Sequence, residues 1–120
     1  MLSDQVTLKQ HILQNGNMAA FVASLYHHDF DLMRRSLQDL IIEPQRKQLI
    51  PEFDACKELA LGENALGFGI SGAGPSMYCL CQSTIQAEHI QEKIARHFAD
   101  QKLECDLYIS KINQRGAFKY

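Results

Sequence analysis

The hydrophobic period of this chain changes once, near Leu66, and that switch limits the architectures open to it. Upstream, Met18, Phe21, Val22 and Leu25 recur at three-and-four spacing, and Phe30, Met33, Leu37 and Leu40 repeat the pattern. Each set draws one apolar stripe along a helix. The polar run His27-His28-Asp29 separates the two, with Asp29 suited to cap the second. Asn15-Gly16 predicts a break before the first stripe, leaving Ser3 to Leu13 as a separate, shorter helix. Pro51 fits the first turn of another helix that turns Phe53, Cys56, Leu59 and Ala60 inward, with Gly62 placed to end it.

From Leu66 onward the period is two. Leu66, Phe68 and Ile70 point one way while Gly67 and Gly69 point the other, a strand with one bare face. After a Gly/Pro-rich break, Met77, Cys79 and Cys81 alternate with Tyr78, Leu80 and Gln82, which predicts a strand apolar on both faces and hence central in its sheet. A helix follows from about Ser83 to Asp100, opened by the capping box Ser83-x-x-Gln86 and turning Ala87, Ile90, Ile94 and Phe98 inward. Cys105, Leu107 and Ile109 then alternate with Asp106, Tyr108 and Ser110 in a predicted last strand. The predicted class is α+β, an antiparallel sheet covered by helices on one face.

Composition narrows the partners. A chain of 120 residues suits one domain with one core. Twelve Lys+Arg against 14 Asp+Glu leave a formal charge of -2, and the scattered charges form no basic stripe for nucleic acid or an anionic membrane. No apolar run approaches the ~20 residues of a membrane span, and residues 1–15 lack the apolar core of a signal peptide. A cytoplasmic protein is expected. Cys56, Cys79, Cys81 and Cys105 all sit at apolar-pattern positions without C-x-x-C or histidine at ligand spacing, so buried, reduced thiols and no metal site are expected. His89 and His97 lie eight positions apart on one helix, and the adjacent His27 and His28 face different directions, so neither pair suggests a ligand set.

The break itself, within Gly67 to Gln82, reads "GFGISGAGPSMYCLCQ". Gly67, Gly69 and Gly72 satisfy the dinucleotide pattern G-x-G-x-x-G, but that fingerprint needs the turn to open a helix, and here Pro75 and a period-two run follow. A nucleophile elbow would need glycine where Ala73 stands, and a P-loop would need a lysine where none occurs between Lys57 and Lys93. A strand–turn–strand remains, with two readings. In one, the glycines serve only to turn the backbone; in the other, converging N–H groups with the Ser71 and Ser76 hydroxyls form a nest for a phosphate or carboxylate. Bare faces at Gly67 and Gly69, open to a close-approaching backbone or ligand, favour the second reading.

The stretch "IIEPQRKQLIPEF", Ile41 to Phe53, brackets an acid and two bases with apolar pairs and prolines. It reads either as a helix-to-helix connection with a solvated Arg46-Lys47 pair, or as a segment that carries one cation into a cleft. For the latter Arg46 is the candidate, because a guanidinium pairs bidentately with a carboxylate as lysine cannot.

Together, "SGAGPS" after a strand and "IIEPQRKQLIPEF" before it resemble the C-terminal part of the homoserine kinases of the GHMP superfamily, over nearly the whole chain. The resemblance implies a ferredoxin-like plait whose first strand lies upstream of Met1. It implies transfer of the γ-phosphoryl of ATP, with Mg2+, to the hydroxyl of L-homoserine in threonine biosynthesis. It places Gly69, Ser71, Gly72, Ala73, Gly74, Pro75 and Ser76 in the glycine-rich loop near the phosphates and substrate. It makes Arg46 the residue that contacts homoserine through its carboxylate. The family's N-terminal domain, with the ATP loop P-x-x-x-G-L-G-S-S-A-A and the magnesium-binding acid, has no counterpart among these 120 residues. The chain is therefore expected to be the single C-terminal domain, to hold no catalytic residue or metal ligand, to bind no cofactor alone, and to associate into a homo-oligomer through uncovered edges. The competing reading is a stand-alone ferredoxin-like amino-acid-binding regulatory module, as ACT domains are.

Overall fold

In a computed structural model, which describes residues 2–119, the chain changes from helix to strand where its hydrophobic period changes. Helix α1 spans Leu8–His27. A capping box opens it: the Thr7 hydroxyl accepts the Gln10 N–H at 3.1 Å, and the Gln10 side-chain carbonyl accepts the Thr7 N–H at 3.0 Å. The helix runs unbroken through Asn15-Gly16, contrary to the predicted break and to a separate helix over Ser3–Leu13. One interior glycine costs only about 1 kcal/mol, too little to interrupt a ladder of 20 residues. His28, in the left-handed region at φ 52°, ends it.

Asp29 caps α2, Phe30–Ser36, by accepting the Leu32 N–H at 2.9 Å. The second stripe predicted helix through Leu40, but the chain leaves the helix at Leu37. Side chains then take the N–H groups that the helix would have used: Gln14 that of Leu40, Asp39 those of Ile41 and Ile42. A short helix α3, Glu43–Arg46, and a 3-10 turn, Lys47–Leu49, lead to α4, Phe53–Gly62. Helix α4 starts two residues after Pro51, and Asn64 at φ 62°, beyond Gly62, makes its closing turn.

Strands β1, Gly67–Ile70, and β2, Met77–Leu80, form an antiparallel pair with Gly67 opposite Leu80 and Ile70 opposite Met77. Helix α5, Thr84–Asp100, follows under the Ser83 cap. Gln86 returns its side chain to the N–H of Gln82, one residue before the position a regular capping box uses. The order α4-β1-β2-α5 is the inner part of a ferredoxin-like plait. The core lies between α4, α5 and one sheet face, built from Phe53, Cys56, Ala60, Phe68, Ile90, Ile94 and Phe98. Phe53 meets Phe68 edge-on with ring centroids 5.5 Å apart, and each such buried ring contributes roughly 1.5–3 kcal/mol through burial. The opposite face is not open: the residues after α2 cross it, and the Leu37 side chain fills the space beside Gly67.

Three expectations are corrected here. Among the described residues β2 pairs with β1 alone, so it is not central, and its outward Tyr78 is 42% exposed. Residues 103–113 form no strand, although their alternation is regular. Alternation prepares a strand but does not by itself make a ladder, and among the described residues this segment pairs with neither β1 nor β2. Leu107 still leans on the core, and its carbonyl accepts from Gln91 at 3.2 Å. Finally, the cysteines are unpaired but unequally buried: Cys56 fully, Cys79 and Cys81 partly, Cys105 exposed because its strand does not form. Burial pushes the Cys56 thiol up to about 11 and the Cys79 thiol up to about 12.

The α4–α5 contact carries a pH signature. Lys93 and His89 both reach Glu63, and the hydrogen bond from Lys93 holds the Glu63 carboxyl below its ordinary range. A carboxyl depressed in the folded state adds stability above its unfolded pKa and loses it as pH falls through the folded value. Lys93→Met should therefore lower the urea midpoint near neutrality. The gap to the parent should close as pH falls from roughly 5 to roughly 3, a convergence that urea titrations at several pH values would record.

Candidate functional site

Helix α3 has four residues and no side-chain cap, too short to hold itself. Its place comes from outside. Pro44 pre-sets its first turn, the Gln45 side chain donates to the Ile41 carbonyl, and Glu43 forms an ion pair with Lys57 of α4. Glu43 is only 8% exposed, an unusual depth for a carboxylate. The Lys57 ammonium in turn lies 5.8 Å from the centroid of the Phe53 ring, inside the core.

Arg46 ends α3, and its Nη1 donates to the Ala73 carbonyl at 2.8 Å, across 27 positions of sequence. That bond joins the two sequence candidates. It is the sole hydrogen bond from the Arg46 side chain among the described residues, and the guanidinium forms no ion pair there. Most of its donor fork is left for an external acceptor. Lys47 turns the other way and pairs with Asp54 at 2.8 Å, so Arg46 and Lys47 are not the jointly solvated pair of the simpler reading.

Ser71 to Ser76 form the turn between β1 and β2. The Ser71 N–H donates to the Ser76 carbonyl at 2.8 Å and the Gly74 N–H to the Ser71 carbonyl at 3.1 Å, while Gly72 and Gly74 take φ of 60° and 77°. The Gly74–Pro75 peptide is cis. The N–H groups of Gly72 and Ala73 and the hydroxyls of Ser71 and Ser76 make no hydrogen bond within the described residues. Glycine is needed for the backbone, with positive φ at Gly72 and Gly74, and unused donors remain on an exposed rim. Gly69 lies inside β1, below the turn. A Cβ there would come within 3.0 Å of the Tyr78 ring, and one at Gly67 within 2.6 Å of Leu37. The bare glycine faces admit the chain's own Leu37 and Tyr78 side chains.

Beside the hairpin, a cleft of about 270 Å3 is lined by residues of α1, the link after α2, and Gly69, Ile70 and Tyr78. Glu43 and Asp39 also face it. Burial, and then those two carboxylates, raise the Tyr78 hydroxyl above its usual value. Sequence reasoning passed over Glu43, Lys57 and Tyr78. The one available signal was Glu43 itself, an isolated acid directly after two isoleucines. Among the described residues no group of three or more His, Cys, Asp or Glu could hold a metal ion.

The family model for the C terminal of GHMP kinases matches residues 18–100, from within α1 to the end of α5. The chain belongs to the GHMP kinase C-terminal family. This GHMP domain is 40% identical over 119 residues to the homoserine kinase of Chlorobium phaeovibrioides, covering 98% of the chain and 37% of that protein. It is 32% identical over 117 residues to the homoserine kinase of Xylella fastidiosa, covering 98% of the chain and 36% of that protein. The crystal structure of homoserine kinase from Cytophaga hutchinsonii superposes with a TM-score of 0.89 at 42% identity, over 94% of the chain and 36% of that structure. The GHMP domain thus spans a little over a third of the length of these relatives. The α+β expectation and the resemblance to homoserine kinases are both borne out.

The turn of the GHMP domain should tolerate change unequally. A methyl at Gly72 meets nothing within 4 Å, whereas one at Gly74 comes within 2.9 Å of Ile50 Cδ1. Gly72→Ala should cost about 1 kcal/mol through its positive φ, and Gly74→Ala roughly 2–3 kcal/mol because overpacking is added. Denaturant titrations of the two variants would measure the difference.

Proposed function

We propose that this domain forms the acceptor-side half of an ATP-dependent homoserine kinase, a phosphotransferase that moves the γ-phosphoryl of ATP to the hydroxyl of L-homoserine. The product, O-phosphohomoserine, leads to threonine. The observation that carries this reading is the Arg46–Ala73 hydrogen bond, which sets a guanidinium with unused donors against the rim of the glycine turn. Arg46 binds the homoserine carboxylate through its fork. The free N–H groups of Gly72 and Ala73 and the hydroxyls of Ser71 and Ser76 face the phosphates and the substrate, with Gly69, Gly74 and Pro75 shaping the turn that presents them. Such catalysis consists mostly of positioning and of stabilising charge on the transferred group. Bound ATP with Mg2+ supplies the phosphoryl group. The metal ligands and most ATP contacts are assigned to the part of the kinase outside these residues, since the relatives carry nearly two thirds of their length beyond the matched region. Unpaired cysteines favour a reducing, cytoplasmic setting. The relatives named above are all homoserine kinases, which weighs against the regulatory-module reading.

In the full-length kinase, Arg46→Ala should lower kcat/KM for homoserine by roughly 2–4 kcal/mol of transition-state stabilisation, with Arg46→Lys recovering little for want of the fork. The KM for ATP should hardly move. Steady-state kinetics with each substrate varied in turn is the test, and normal homoserine kinetics in Arg46→Ala would overturn the assignment.

The 120 residues alone should bind MgATP and homoserine far more weakly than the kinase does, because one wall of the cleft is absent and ligand charges stay in water. They should also self-associate, since α1 leaves Leu8, Ile12 and Met18 at 74%, 60% and 62% exposure. Calorimetry and sedimentation velocity are the measurements. Low-micromolar MgATP binding, or a monomer at tens of micromolar, would count against the respective expectation.

A further inference from the structure

The ion pair between the buried Glu43 and the partly buried Lys57 has no role in the chemistry proposed above, and the depth of the carboxylate demands an explanation. A pair of charges held at this depth rarely adds net stability over apolar residues of the same size, because desolvation offsets the attraction. What it does add is direction. Glu43 is the first residue of α3 and Arg46 the last, so the two lie one helical turn apart on the same side. Lys57 belongs to α4 and rests against Phe53, which is 2% exposed and part of the core. A continuous line of contacts therefore runs from Phe53 through Lys57 and Glu43 into α3, and through Arg46 to the Ala73 carbonyl of the glycine turn.

The 3-10 turn after α3 has its own tie through Lys47 and Asp54, which are exposed enough for water to compete. The start of α3 has no side-chain cap, and among the described residues Glu43 is its one charged link to a core helix. The other ties of α3, from Asp39 to the N–H groups before it, from Gln45 to the Ile41 carbonyl and from Arg46 to Ala73, end in connecting segments rather than in a core helix. The Glu43–Lys57 link is therefore the one that sets its direction against the core. We propose that Glu43 and Lys57 are positioning residues for Arg46: they aim the guanidinium toward the acceptor's carboxylate and hold the glycine turn against it. The proposal rests on the reading of Arg46 given above.

The test uses the full-length kinase, with Glu43→Gln as first variant and Lys57→Met as the approach from the other side. Each should lower kcat/KM for homoserine roughly 10- to 100-fold through misplacement of the arginine, mainly in KM, while the KM for ATP stays within about twofold. Lys57→Arg, which keeps the charge, should retain most of the activity. The decisive arm repeats Glu43→Gln in an Arg46→Ala background. Once no guanidinium remains to be aimed, the second substitution should add little further loss. If Glu43→Gln lowers kcat/KM by the same factor with or without Arg46, the glutamate acts by direct contact or through general stability, and the positioning role is wrong. Homoserine kinetics within twofold of the parent in both Glu43→Gln and Lys57→Met would also overturn it. An unaffected Arg46→Ala enzyme would sink the reading of Arg46 itself, whereas an impaired Arg46→Ala beside a normal Glu43→Gln would sink this inference alone.

Discussion

The antiparallel pairing of β1 with β2 is the constraint on which the rest of this domain depends. Its register sets Phe68 toward α4 and α5, where it completes the core with Phe53, Ile90 and Phe98. The same register faces Gly67 and Gly69 toward Leu37 and Tyr78, so the link after α2 can cross close to the sheet. It also closes the turn at Ser71 and Ser76, presenting Gly72 and Ala73 at the rim. A slip of one residue would exchange the two faces, setting glycines against the core and Phe68 against Leu37. Core, crossing link and candidate site therefore follow from a single pairing.

Around that hairpin the domain divides its work between apolar packing and a few directed polar contacts. The side bearing α4 and α5 is closed by aromatic and branched residues and needs little else. The other side is assembled by ties between distant backbone and side chains. Arg34 donates to the carbonyls of Asn64 and Ala65, Gln14 takes the Leu40 N–H, and Asn17 donates to the Gln38 carbonyl. Such ties fix direction more than they add stability, since each net hydrogen bond is worth only about 1 kcal/mol. The candidate site lies on this directed side, where one arginine and one glycine turn meet through a single bond.

Much of this was legible in the chain. The change of period at Leu66, the caps Asp29 and Ser83 and the inward face of α5 are local properties, read from spacing and from the hydrogen-bonding habits of single residues. The glycine turn and Arg46 were legible too, one from backbone demands and the other from the chemistry of guanidinium. Where local reading failed, a non-local term had decided. Gly16 did not break α1 because the helix around it is long. Leu37 left the helical pattern to fill the space beside Gly67. The alternating residues at 105–110 found no partner strand, and Cys105 was left exposed with them.

What the sequence determined by itself is therefore the kind of each segment and the residue types fit for a site, because propensity, periodicity and capping act within a few positions. Only the tertiary structure decided that Arg46 reaches Ala73 and that Glu43 is buried against Lys57. The same holds for the glycine faces, which receive Leu37 and Tyr78. Those outcomes depend on distances across 14 and 27 positions of chain, which are set by how whole elements pack and leave no periodic trace in the residues themselves.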